Sequence, residues 1–216
     1  MKDNILNKKF RYVYRNAVAY LIAANFLVYI AINYIRPVIN GMPLVYWISL
    51  IPYFIRQGYV WQFFTYMFVH MEFFHLFFNM YALFMFGTML ERAIGTKEFL
   101  LFYFLTGVLG GVVSYIIYTA TGMMNLAIMG ASGAVYAMLF LTSVMYPQGR
   151  VLLFFFLPLR LPVAVVMFIL IEIVSQFLSG GDGVAHLVHL SSIAIAWIYC
   201  LLRFRISPLK VWRSSF

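Results

Sequence analysis

Polar residues along this chain fall in short clusters between long apolar runs. A helix needs about 20 apolar residues to cross a bilayer. Six runs approach that length: 17–35, 73–90, 99–120, 132–146, 162–178 and 184–202. They predict an all-α polytopic membrane protein of six transmembrane helices. Its parts would be a basic N-terminal tail (1–16), a six-helix membrane domain (17–202) and a basic C-terminal tail (203–216). The first run follows the charged stretch MKDNILNKKFRYVYR and carries no small-residue cleavage signal, so a retained helix is expected rather than a signal peptide.

Composition sharpens this picture. Of the 216 residues, 65% are hydrophobic and 10% charged, and the mean hydropathy is +0.93. A soluble domain is nearer half apolar and a quarter charged. The single cysteine, Cys200, excludes an intrachain disulfide and a cysteine-based metal cluster. The net charge of +9 raises the question of nucleic acid, and the placement of the charges answers it. With the N-terminus in the cytoplasm and six spans, thirteen of the fifteen Lys and Arg fall on the cytoplasmic side. Arg36 and Arg56 stay outside, in the first loop. That asymmetry predicts both termini inside and no nucleic-acid partner. The first outer loop, 36–62, is long and holds Tyr46, Trp47, Tyr53, Tyr59 and Trp61. Such rings suit headgroup depth, so the loop is expected to lie partly in the outer leaflet. Arg160 would be costly at mid-bilayer. Residues 151–157 are therefore expected at the cytoplasmic face, the fifth span starting after them; one long kinked helix is the alternative.

The topology gives each polar residue a depth. His70 and Glu72 lie just before the second run, and His75 and Asn79 lie in its first two turns. Ser132 begins the fourth run, and His186 and His189 begin the sixth. All four histidines thus gather at two helix starts, and Ser132 begins a third on the same membrane face. The stretch HMEFFHLFFN looks like a displaced zinc motif. H-E-x-x-H works because histidines four apart share a helix face. His70 and His75 are five apart, about 140° around a helix. A zinc site drawing on all four histidines is the remaining metal reading, and no metal is expected. His75 and Asn79, four apart, do share a face. They can be an interhelical polar clamp or donors into a site. Ser132 lies in GASGAVYAM between Gly130 and Gly133. Its hydroxyl is a weak nucleophile without an adjacent base. His189, at similar depth, could be that base, with His75 and Asn79 donating to an oxyanion.

These residues resemble the rhomboid family of intramembrane serine proteases. The resemblance rests on WQFFTYMFVHMEFFHLFFNMYALFMFG, LERAIGTKEFL, GASGAVYAML and AHLVHLSS, in that order, spanning about 61–199. It implies a Ser–His dyad with no acidic third member. By motif position Ser132 resembles the nucleophile and His189 the general base. His75, Asn79 and the Ser132 backbone N–H resemble the oxyanion donors. Gly130 and Gly133 flank the nucleophile, and Tyr136 matches an aromatic packed on the catalytic imidazole. The fifth run and SGGDGVA, with glycines at 180, 181 and 183, resemble a gate and cap. The resemblance further implies transmembrane protein substrates, the lipid bilayer as surroundings and no cofactor. A multi-pass place in a bacterial-type plasma membrane is expected, with the site facing outside. The family pattern has glycines where this chain has Ser192 and Ala196, which bears on the distance from Ser132 to His189. His186 competes for the base role and is expected to bond locally or face the outer cavity. His70 is expected to be a satisfied loop residue.

Two other functions fit parts of this pattern. A non-catalytic rhomboid-like binder of transmembrane helices would usually lack the serine or the histidine, and this chain has both. A channel or transporter would carry broken helices and paired midplane charges. Only Glu172 lies well inside a span, with no partner visible from spacing.

Overall fold

The computed structural model describes residues 10–153, 156–178 and 184–215. Helices dominate: α1 (Ala17–Ile30), α2 (Leu44–Ile48), α3 (Pro52–Ile55), α4 (Gln62–Thr65), α5 (Phe73–Ala82), α6 (Thr88–Ile94), α7 (Thr96–Ala120), α8 (Ser132–Met145), α9 (Leu161–Leu178), α10 (Val184–Tyr199) and α11 (Pro208–Ser215). Wider π-type turns extend α1 to Ile35, join α5 to α6, and extend α10 to Phe204. Among the described residues, four helical segments are long and apolar enough to cross a membrane: Ala17–Ile35, Phe73–Ile94, Thr96–Ala120 and His186–Phe204. The other two expected spans are shorter apolar helices, α8 and α9. At 1.5 Å per residue α8 is about 21 Å long, against a hydrocarbon core of about 30 Å.

The short α8 sits at the centre. Ala134, Ala137, Met138, Phe140 and Leu141 are all buried, as expected for a helix that is apolar all round. α7, α9 and α10 pack against it. Close approach depends on absent side chains. A Cβ at Gly133 would stand 2.7 Å from Val188 Cγ1 and 2.8 Å from Ser192 Oγ, both on α10. A Cβ at Gly110 on α7 would stand 2.2 Å from that same Ser192 Oγ. Ser192 therefore fills the space two glycines leave open, and its hydroxyl donates to the Thr106 carbonyl at 3.2 Å.

The long first loop is built rather than loose. β1 (Val38–Ile39) pairs with β2 (Met42–Pro43). Buried Gln62 accepts from Ile51 N–H at 3.0 Å and donates to the Tyr46 carbonyl at 2.8 Å. Leu50 and Ile128 exchange backbone hydrogen bonds, and Gly130 N–H donates to the Tyr66 carbonyl. The loop thereby anchors the segment leading into Ser132. Before α9 the chain forms a hairpin, β3 (Arg150–Leu153) with β4 (Leu157–Arg160), Arg150 facing Arg160. α9 starts at Leu161, so the long kinked helix weighed as an alternative does not form. α11 folds back on α8, where Trp212 packs on Phe140 and donates to the Ser143 carbonyl. The segment 179–183, with the glycines expected to act as a hinge, lies outside the described residues.

Two buried carboxylates among the helices have partners. Glu98 at the start of α7 takes Arg203 in two hydrogen bonds, at 2.8 and 2.7 Å, and accepts from Tyr199. Glu91 caps another helix: its carboxylate accepts from Ala17 N–H at 2.7 Å and Val18 N–H at 3.2 Å, the free donors at the start of α1. Asn16, the residue positioned to cap α1, makes no side-chain cap. Thr96 also donates to Glu91. Glu91→Ala strands two buried N–H groups and is expected to cost about 1–3 kcal/mol. Thermal unfolding in detergent should show it, and Glu91→Gln should recover part of the loss. Gly133→Ala is expected to destabilise by about 1–3 kcal/mol by overpacking the α8–α10 contact. An unchanged midpoint would mean that contact has slack.

Candidate active site

The sequence places Ser132 and His189 far apart, and the α8–α10 contact joins them. Ser132 is the first residue of α8 and half-buried. His189 lies two turns into α10 and is buried. His189 Nε2 stands 2.7 Å from Ser132 Oγ, a hydrogen bond. Ser192 and Ala196 in place of glycines do not push the helices apart, because Gly110 and Gly133 receive Ser192. Against a face of the imidazole, Tyr136 stacks with centroids 4.3 Å apart and planes 12° apart. Tyr136 and Ser132 are four residues apart on α8, so one helix face presents both to the ring.

His75 and Asn79 also arrive as the spacing predicts. With Ser132 and His189 they line a cavity of about 600 Å³ whose other walls are mainly apolar, among them Phe78, Tyr136 and Phe168. Asn79 is buried and donates one amide hydrogen to the His75 carbonyl at 2.9 Å, keeping a second donor. A smaller cavity of about 280 Å³ meets the same serine from the loop side, past Glu72, His75 and Met129. Ser132 N–H belongs to the first turn of α8, where helix N–H groups have no internal partner and the dipole favours negative charge. Gly130 has φ +112°, a conformation other residues resist. A Cβ there would also stand 2.8 Å from His75 Cε1. The glycine thus lets the His75 ring lie against the backbone just ahead of Ser132.

The zinc-like stretch resolves into two parts. α5 begins at Phe73, so His70 is off the helix and Glu72 is exposed at its start. His70 is fully buried, its ring 5.0 Å from that of His75. Its Nε2 faces Ala131 N–H at 3.4 Å, and its carbonyl accepts from Asn33. The expected satisfied loop residue is thus satisfied on one ring nitrogen, while Nδ1 has no partner.

Glu172 was legible only as an isolated carboxylate in a span; the structure corrects the expectation that it has no partner. It projects from α9 into the gap between α8 and α10. Tyr136 Oη donates to Oε1, and His186 Nδ1 bonds Oε2. His189 Nδ1 is 3.0 Å from Oε1, although not aligned for a straight hydrogen bond. His186 therefore bonds locally, as expected, and its side chain is 22% exposed. Glu172, His186 and His189 form the one group of three potential metal ligands among the described residues. Within it, His186 and Glu172 are hydrogen-bonded to each other.

A helical membrane-type bundle with a serine and a histidine in contact at its core defines a small class of protein. A family profile described as Rhomboid domain matches residues 57–206, and the chain belongs to the rhomboid family. It is 37% identical over 88 residues to the presenilin-associated rhomboid-like protein, mitochondrial, of Rattus norvegicus, covering 41% of this chain and 23% of that protein. It is 32% identical over 158 residues to RHOMBOID-like protein 12, mitochondrial, of Arabidopsis thaliana, covering 66% and 47%. It is 33% identical over 84 residues to the rhomboid-named YdcA of Bacillus subtilis, covering 39% and 40%. The chain spans less than half the length of each of these relatives.

His70 offers a pH test. Burial, and then the neighbouring His75, push its pKa down to about 4 from 6.5. The folded protein holds it neutral, while the unfolded chain takes up a proton below about pH 6.5. Its contribution is complete above pH 6.5 and is lost as pH falls toward 4, by on the order of 2–3 kcal/mol. Unfolding midpoints measured from pH 7 to 4.5 should fall, and less steeply in His70→Gln.

Proposed function

We propose that the chain is an intramembrane serine endopeptidase, hydrolysing peptide bonds in or near transmembrane segments of other membrane proteins. The observation that carries this reading is the 2.7 Å approach of His189 Nε2 to Ser132 Oγ inside a helix bundle, at the edge of a cavity of about 600 Å³. Ser132 Oγ attacks the carbonyl carbon of the substrate, and its proton passes to His189 Nε2. The tetrahedral oxyanion takes hydrogen bonds from Ser132 N–H, His75 and the free Asn79 amide hydrogen. Collapse breaks the C–N bond, and His189 returns the proton to the leaving amine. Water then attacks the acyl-serine, again with His189 as base, and releases the acid. Gly130 and Gly133 permit the close contacts, and Tyr136 holds the imidazole plane. Every step uses side chains and water, and no metal takes part.

We extend the reading to topology. α8 and α9 complete six spans around the four longer helices, with 1–16 and 203–216 as basic cytoplasmic ends of a membrane domain covering 17–202. The exposed Tyr46, Tyr53 and Trp61 of the first loop suit headgroup depth. The site then opens on the side opposite the termini. A bacterial plasma membrane is not supported by the relatives, which include mitochondrial proteins by name.

A non-catalytic binder of transmembrane helices is the second reading, and the hydrogen-bonded Ser132–His189 pair speaks against it. Purified protein in proteoliposomes with a fluorogenic transmembrane substrate decides between them. Ser132→Ala and His189→Ala are expected to abolish cleavage with unfolding midpoints retained. Full cleavage by both variants would refute the proposal. Asn79→Ala is expected to lower kcat about 10–1000-fold as an oxyanion donor. Excess EDTA is expected to leave the wild-type rate unchanged.

A further inference from the structure

A carboxylate inside an apolar helix is expensive and is kept where it does something. Among the described residues, Glu172 is the carboxylate beside the serine–histidine pair. Tyr136 and His186 occupy one oxygen each and fix its plane. Its Oε1 stands 3.0 Å from Nδ1 of His189, the ring nitrogen turned away from Ser132. Nδ1 is buried and has no other partner.

From this geometry we propose that Glu172 is the acidic third member of the site, a positioning residue that fixes the tautomer and tilt of His189. The proposal rests on the reading of Ser132 and His189 as the catalytic pair. With Nδ1–H turned to the carboxylate, Nε2 is left bare to accept the Ser132 proton. When the imidazolium forms, Glu172 stays ionised, and no proton moves to it. The approach is off-line at rest, and such contacts often tighten in the reacting complex. The carboxylate comes from α9, whereas serine and histidine come from α8 and α10. The third member is therefore in place only while α9 lies against both. Tyr136 serves twice, stacking on the imidazole and donating to the group that orients it.

Two measurements test this. In the first, kcat and KM for a transmembrane substrate are compared among wild type, Glu172→Gln, Glu172→Ala and Glu172→Asp. The Gln variant keeps the shape and an acceptor for Tyr136, but its amide can present a donor to Nδ1 and favour the wrong tautomer. Gln and Ala are expected to lower kcat about 10–100-fold with KM within about twofold, less than the roughly 100–10,000-fold that general acid–base catalysis supplies as a whole. Asp is expected to restore part of the rate. Wild-type kcat in both Gln and Ala overturns the proposal. In the second, ¹⁵N NMR of histidine-labelled wild type reads the His189 tautomer. Protonated Nδ1 with bare Nε2 is expected, shifting to a mixture or the reverse in Glu172→Gln. Protonated Nε2 in the wild type overturns the proposal, even if the Ala variant fails to fold. If wild-type protein does not cleave at all, the catalytic reading falls instead, and the tautomer still reports on Glu172.

Discussion

The approach of α8 to α10 governs everything else in this molecule. Ser132 and His189 lie 57 residues apart in sequence and meet at 2.7 Å. Two helices come that close only where side chains are missing, and in a membrane-type bundle small residues supply that closeness. Gly110 and Gly133 open a socket from two sides, and Ser192 fills it. The hydroxyl of Ser192 is satisfied by a backbone carbonyl of α7, so a polar atom enters the contact without being stranded. A serine where the family pattern has glycine is thus compensated by glycines on the neighbouring helices.

Around that contact the polar groups are shared. Tyr136 both stacks on His189 and donates to Glu172. His75 presses against Gly130 while its carbonyl receives Asn79. Such a network is stiff because each group has a partner that is itself held. The first loop extends the same logic outward: its backbone at Leu50 pairs with 128, and Tyr66 just beyond it accepts from Gly130, both just ahead of the serine. The serine therefore sits on a helix start held by a packed helix on one side and an ordered loop on the other.

Much of this was legible beforehand, and the exceptions have physical reasons. The apolar runs located the long helices because burial in lipid or in a core demands them. The i, i+4 spacing of His75 with Asn79, and of Ser132 with Tyr136, placed each pair on one face because helix geometry fixes that relation. The partners of Glu172 were not legible, since they come from two other helices and no spacing within α9 points to them. The 150–160 hairpin was hidden as well: its apolar strands read like any other apolar run, although Arg160 did mark where α9 begins. His70 and His75 looked incompatible only on the assumption that one helix held both. The chain is extended at Glu72, which brings the two rings together.

The central claim is that the packed contact makes Ser132, and no other hydroxyl, a nucleophile. The direct measurement is peptide mapping by mass spectrometry after treating the folded protein in detergent with a small fluorophosphonate. A single phosphonyl adduct on Ser132, absent after heat unfolding, is predicted. An unmodified Ser132 in folded protein, or equal modification of other serines, would contradict it.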